Sequence, residues 1–222
     1  MQHRLTRQTA PLFTTIPAKA KPVDDFSQYA GLIFDCDGTL TDSMPLHYEA
    51  WLEALIPYGI SFPEVKFYSM GGMRSEKIVE VLGKEQSIDA DPNEVTALKE
   101  AAFGRRMLRI EAREDICSIA RNHHRKIPIS VASGGDKEGV TAQLEQIGMR
   151  EYFEVIVTAE DTERHKPEPD VFLKTAELLG VPPEGCLVFE DSPLGLEAAA
   201  RASMDCIDVR DGKLYRAQQA NA

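Results

Sequence analysis

The sequence predicts a doubly wound α/β fold with a helical domain inserted after its first strand. Three observations predict it. Short, continuous apolar runs recur along the chain, one-sided helical stretches separate them, and one long strand-free stretch interrupts the alternation. Strands that alternate with helices form a parallel sheet, and a strand covered on both faces reads as an unbroken apolar run.

Residues 1–28 carry Pro, Ala, Thr and Lys without periodicity, and are read as an N-terminal extension outside the core, draped over it at most. Basic residues at Arg4, Arg7, Lys19 and Lys21 raise organelle targeting as an alternative, but no amphipathic pattern accompanies them. No apolar h-region marks a secretory signal. The catalytic core is expected over 29–43 and 113–222, with strands at 30–35, 127–132, 155–159, 186–190 and 206–209. A helix over 136–147 follows from Val140, Leu144 and Ile147, and one over 169–179 from Val171, Phe172, Ala176 and Leu179. Gly148 and Gly180 supply their stops. The Ala-rich run 193–202 reads as a third. Residues 44–112 hold no good strand and exceed any ordinary crossover, so they are read as an inserted helical cap, with helices at 44–57, 74–83 and 92–109.

The composition excludes other classes. The chain has 222 residues, 43% hydrophobic and 27% charged, as in an ordinary folded domain. Its formal net charge of −11 opposes nucleic acid and anionic membrane as partners. No run of apolar residues is long enough to span a bilayer. Cys36, Cys117, Cys186 and Cys206 lie far apart without a CxxC pair, which points to free thiols and a cytoplasmic protein.

Four short motifs each follow a strand. The first is Asp35-Cys36-Asp37-Gly38-Thr39. Residues two apart on a strand face one side, so both carboxylates can enter one site while Cys36 points away. Ligands of open α/β sheets bind beyond the carboxyl ends of the strands. The second is Glu190-Asp191, which with Asp35 and Asp37 makes an oxygen-only cluster suited to Mg²⁺; the alternative is an acidic cap for the helix from Pro193. The third is Ser133, whose hydroxyl precedes Gly134-Gly135 at a helix start, a natural phosphate hook. The fourth is Lys166 in a proline-fixed loop, placed to neutralise a carboxylate nucleophile and a phosphoryl group.

The order FDCDGTLTDS, VASGG, HKPEPD, VFEDSPLGLEAA resembles the haloacid dehalogenase superfamily, in its β-phosphoglucomutase and sugar-phosphatase branch. The resemblance covers Tyr29 to Val209 and matches the insertion to that family's helical cap. It implies Asp35 as a nucleophile that forms an aspartyl-phosphate, and Asp37 as general acid/base. It implies Mg²⁺ held by Asp35, the Asp37 carbonyl and Asp191, with Glu190 near the ion. Ser133, Gly134, Lys166 and Thr39 form the expected phosphate-binding set. On the cap, His47, Arg74 and Lys99 are substrate candidates; a hinge histidine and solvated cations are the plainer readings. The implied function is Mg²⁺-dependent hydrolysis of a small phosphomonoester, most naturally a sugar phosphate, by a monomer. A β-phosphoglucomutase-type transfer is the alternative, and a catalytically silent binding protein the more remote one. Thr39 favours the phosphatase, since the mutases carry an apolar β-branched residue there.

Two features depart from the family pattern. Ile110-Glu111-Ala112-Arg113-Glu114 replaces a Pro-Gly turn at the end of the cap, and the N-terminal extension is unusual.

Overall fold

The computed structural model describes residues 13–15 and 26–217. The basic residues Arg4, Arg7, Lys19 and Lys21 of the targeting alternative lie outside them. The core is one sheet of seven strands: β1 (Phe13–Thr15), β2 (Gly31–Phe34), β3 (Ile129–Ala132), β4 (Val155–Val157), β5 (Cys186–Glu190), β6 (Asp205–Asp208) and β7 (Lys213–Ala217). Their spatial order is β1-β7-β6-β5-β2-β3-β4. The five strands from β6 to β4 are parallel, with Leu32 level with both Ile129 and Leu187. All four residues of β2 are buried, as are all five of β5, because helices cover both faces.

Eight α-helices accompany the sheet among the described residues: α1 (Met44–Leu55), α2 (Glu64–Ser69), α3 (Ser75–Gln86), α4 (Pro92–Gly104), α5 (Glu114–His123), α6 (Lys137–Gln146), α7 (Asp170–Leu179) and α8 (Pro193–Arg201). The period-two alternation of β2 and β5 sorts the core. Leu32, Phe34, Leu187 and Phe189 pack against Ile116 and Cys117 of α5 and Val140 and Leu144 of α6. Ile33 and Val188 face the other way, onto Val171 and Phe172 of α7 and Ala198 and Ala199 of α8. The helices α1 to α4 bury a separate cluster, including Trp51, Phe62, Phe67, Leu82 and Val95.

Four differences from the sequence reading have physical causes. The sheet is mixed rather than wholly parallel: β7 pairs antiparallel with β6, and β1 antiparallel with β7. The expected extension 1–28 therefore enters the fold where it is described. Phe13–Thr15 extends the sheet, and Phe26 is 2% exposed, its ring 5.5 Å from Phe189. Gly83 does not stop α3. It lies inside the helix, where a Cβ would meet the Ile88 carbonyl oxygen at 2.7 Å, and the helix turns off instead at Ser87, φ 56°. The helix expected over 92–109 ends at Gly104, and Met107–Arg109 forms a separate 3-10 turn. All four cysteines are free and buried, and no helix is long and apolar enough to cross a membrane among the described residues.

The cap leaves and rejoins the core at one place. Thr41 bridges Ala112, the Asp42 amide donates to the Glu111 carbonyl and the Arg113 amide to the Leu40 carbonyl, both at 2.9 Å.

Candidate active site

The chain turns sharply where β2 ends. Amides of Thr39, Leu40 and Thr41 all reach the Cys36 carbonyl, at 3.2, 2.9 and 3.0 Å. Gly38 makes this possible twice over. Its φ is +76°, and a Cβ there would lie 2.2 Å from Asp191 Oδ2. The turn thus brings the first motif against the last, across a β2–β5 pair whose register aligns Phe34 with Phe189.

Asp35 sits under a buried ammonium group. Lys166 Nζ donates to Asp35 Oδ1 at 2.7 Å and to Glu190 Oε1 at 2.6 Å, and all three side chains are at most 7% exposed. Burial pulls the Lys166 pKa down, but the charges of Asp35 and Glu190 outweigh it and hold the ammonium protonated. Asp191 stands within the same group: Asp35, Glu190 and Asp191 offer oxygens within 4.8 Å of one another. Three carboxylates around one cation leave surplus negative charge. Burial first, then Glu190, raises Asp35 to about 7 against the pull of Lys166. Burial, Glu190 and Asp35 raise Asp191 as well. A hard divalent cation is the chemistry that fits this donor set and relieves its charge.

Glu190 has another occupation. Besides Lys166, its Oε2 accepts the Ser192 amide at 2.6 Å. Both oxygens are therefore engaged, and the carboxylate clamps Lys166 to the start of α8. Ser192 Oγ caps the same helix by accepting from the Gly195 amide at 3.0 Å.

Asp37 is held from the cap side. Ser43 Oγ donates to Asp37 Oδ1 at 2.6 Å, and His47 Nε2 lies 2.8 Å from the same oxygen. Burial favours the neutral acid, but His47, Ser43 and Gln143 outweigh it, so Asp37 is kept well below the usual carboxylate range. His47 is itself pushed below an ordinary imidazole by burial and by the Lys99 charge. Its ring stacks on Phe103 of α4, centroids 3.7 Å apart and planes 9° from parallel.

Ser133 follows β3, is 1% exposed, and accepts the Gly135 amide on its Oγ at 3.0 Å. Gly134 has open space about it. A cavity of about 600 Å³ lies between core and cap, and it brings together most of the residues singled out in the sequence. Asp35, Asp37, His47, Arg74, Lys99, Ser133, Gly134, Lys166, Glu190 and Asp191 all line it. Thr39 does not. It is fully buried and its Oγ1 has no hydrogen-bond partner among the described residues, so neither the phosphate-binding expectation nor the argument from Thr39 against a mutase has geometric support. Sequence reasoning also missed Ser43, inside a quoted run but given no role, and Gln143, which takes the Thr41 hydroxyl at 2.9 Å. Gln143 is a helix residue remote in the chain, and no local pattern marks it.

The family model for haloacid dehalogenase-like hydrolases matches residues 32–209. Among curated proteins, fructose-1-phosphate phosphatase YqaB of Escherichia coli is 35% identical over 83% of this chain and 98% of its own. A hydrolase from Pseudomonas syringae superposes with a TM-score of 0.73 at 26% identity, over 80% of this chain and 83% of that one. A variant of CbbY from Rhodobacter sphaeroides, solved with xylulose-(1,5)bisphosphate, superposes with a TM-score of 0.72 at 25% identity, over 81% and 85%. With its catalytic-type motifs gathered at the carboxyl ends of β2, β3 and β5 and a helical cap closing over them, the chain belongs to the haloacid dehalogenase-like hydrolases.

Proposed function

We propose that this protein is a Mg²⁺-dependent phosphatase acting on a small sugar phosphate through an aspartyl-phosphate on Asp35. The carrying observation is the buried contact of Asp35 with Lys166, beside the oxygen cluster of Asp35, Glu190 and Asp191. The likeness to a fructose-1-phosphate phosphatase supports the substrate class. The four buried, unpaired thiols support a reducing, cytoplasmic setting.

Asp35 attacks phosphorus, the ester oxygen departs with a proton from Asp37, and water then cleaves the acyl phosphate with Asp37 as base. Lys166 and the Ser133–Gly134 loop hold the phosphoryl oxygens. Asp35 and Asp191 would hold Mg²⁺, with Glu190 beside them on Lys166, and the ion would supply positive charge against the repulsion between carboxylate and phosphate. In the resting site Asp37 is held ionised; the negative charge of an arriving phosphate favours its acid form. The cap supplies His47, which ties Asp37 to closure of the cavity.

The test is a phosphate-release screen over sugar phosphates with Mg²⁺, with β-glucose 1-phosphate and a trace of the 1,6-bisphosphate included. Free phosphate from sugar monophosphates supports the reading. Rapid glucose 6-phosphate formation with almost no free phosphate overturns it in favour of a mutase.

A further inference from the structure

We infer that the cap wall of the cavity selects a polyol bearing a single phosphate group, with Glu76 and Glu100 as the specificity-determining residues that reject a second phosphate. This rests on the phosphatase reading above and deepens it.

The cap presents two cations to the cavity, Arg74 and Lys99. Each already has a carboxylate. Arg74 Nε lies 3.3 Å from Glu76 Oε2, and Lys99 Nζ lies 2.9 Å from Glu100 Oε1. Glu76 and Glu100 line the cavity too. The cap end therefore carries balanced charge from these four residues, whereas the core end carries Lys166 and the cation site. A phosphate monoester is close to a dianion near neutral pH. At the cap end it would meet two carboxylates, and to gain Lys99 it would have to displace Glu100. Hydroxyl groups face no such barrier: they donate to carboxylates without charge repulsion.

The cavity's uncharged polar residues are compatible with the same ligand. Five buried side-chain polar atoms have no hydrogen-bond partner among the described residues, and three belong to residues lining the cavity: Thr96 Oγ1, Thr162 Oγ1 and His47 Nδ1. Buried polar groups are rarely left unpaired. All three are neutral groups able to pair with a ligand hydroxyl, so the discrimination against a second phosphate rests on Glu76 and Glu100. Thr96 and Glu100 stand four apart on α4 and so share one helix face. Ser75 Oγ lies 3.4 Å from Glu100 and fixes it from α3. The structural neighbour from Rhodobacter sphaeroides holds a sugar bisphosphate.

The experiment compares fructose 1-phosphate with fructose 1,6-bisphosphate. Turnover is read as kcat/KM in the native enzyme and in Glu76→Gln, Glu100→Gln and the double variant. Binding is read by calorimetry in the same series on an Asp35→Asn background. Both glutamates are part-exposed, and the amide keeps their shape, so folding is retained. The expected result is a native preference for the monophosphate of at least about thirtyfold, shrinking by about tenfold or more in the double variant through tighter bisphosphate binding. A native preference near one, or a preference unmoved by both substitutions, overturns the charge argument while leaving the phosphatase reading in place. If neither sugar binds or turns over, the sugar-phosphate reading fails and takes this inference with it.

Discussion

Replacing Gly195 with alanine provides the sharpest check on the clamp role of Glu190. A Cβ on Gly195 would lie 1.8 Å from Glu190 Oε1 and 2.5 Å from Oε2. The carboxylate must move by more than an ångström to reach ordinary contact, and it cannot do so without releasing its partners. Those are the Lys166 ammonium and the Ser192 amide, both at 2.6 Å. Hydrogen bonds to a charged group contribute about 1.5–3 kcal/mol each, and breaking a buried ion pair costs about 3–5 kcal/mol. Gly195→Ala is therefore expected to destabilise the fold by about 3–5 kcal/mol, a Tm loss of roughly 10 °C. With one of its two carboxylate anchors gone, Lys166 shifts, and kcat is expected to fall by about a hundredfold. Glu190→Asp shortens the side chain by one methylene, so the double variant Glu190→Asp/Gly195→Ala should regain part of both losses. Denaturant unfolding and phosphate release measure the set. A Gly195→Ala protein within about 0.5 kcal/mol of native stability and with native kcat would refute the clamp.

Three further expectations follow from the site. Asp35→Asn keeps the shape but removes the nucleophile, and turnover should fall by at least about a thousandfold; more than a tenth of native activity in a clean preparation contradicts the assignment. EDTA should abolish phosphate release and Mg²⁺ restore it. The stabilisation by Mg²⁺ should also grow with pH. In the metal-free fold Asp35 is raised to about 7 from an unfolded value near 3.9, so its contribution is present below about pH 4 and is lost as pH rises through 7. Mg²⁺ replaces the missing positive charge, so the Tm gained with saturating Mg²⁺ should be larger at pH 8 than at pH 5; equal gains would show that the carboxylates do not hold the ion. His47→Ala removes a hydrogen bond that holds Asp37 ionised, so the limb of the kcat profile that reports Asp37 should move to higher pH, with kcat reduced about tenfold or more. An unmoved profile would detach His47 from Asp37.

Much of this was legible because the residues at strand ends are tied to regular elements. Once 30–35 and 186–190 read as buried strands, the positions of Asp35 and Asp191 at the carboxyl edge follow from the topology. Lys213–Ala217 was not legible. It is the partly exposed second strand from the edge, and Lys-Leu-Tyr-Arg-Ala lacks the continuous apolar run of a covered strand. Phe26 stands alone in a polar stretch, so no period marks it for the core. Inside the site, the alternation that places Asp35 and Asp37 ends at Gly38. Beyond that turn no periodicity states which way Thr39 points, and its side chain is fully buried. Glu190 shows a different limit. Its neighbours in sequence place it in the carboxylate cluster, where it lies, but its contacts with Lys166 and the Ser192 amide come from packing across the fold and no local pattern marks them.

The two bridged segments at the base of the cap have a consequence for how such an enzyme can change over time. Residues 40–42 and 111–113 lie side by side, about one strand spacing apart. To the core, everything between them is equivalent to a hairpin turn, and the entropy of closing it rises only with the logarithm of its length. Beyond Ser43 and His47, sequence between those two points can lengthen, shrink or be exchanged while β2, β3 and β5 keep their register. Apart from Ser43 and His47, which reach back to hold Asp37, the phosphate chemistry is thereby insulated from changes in substrate choice. A lineage can trade one sugar for another by rewriting the cap alone.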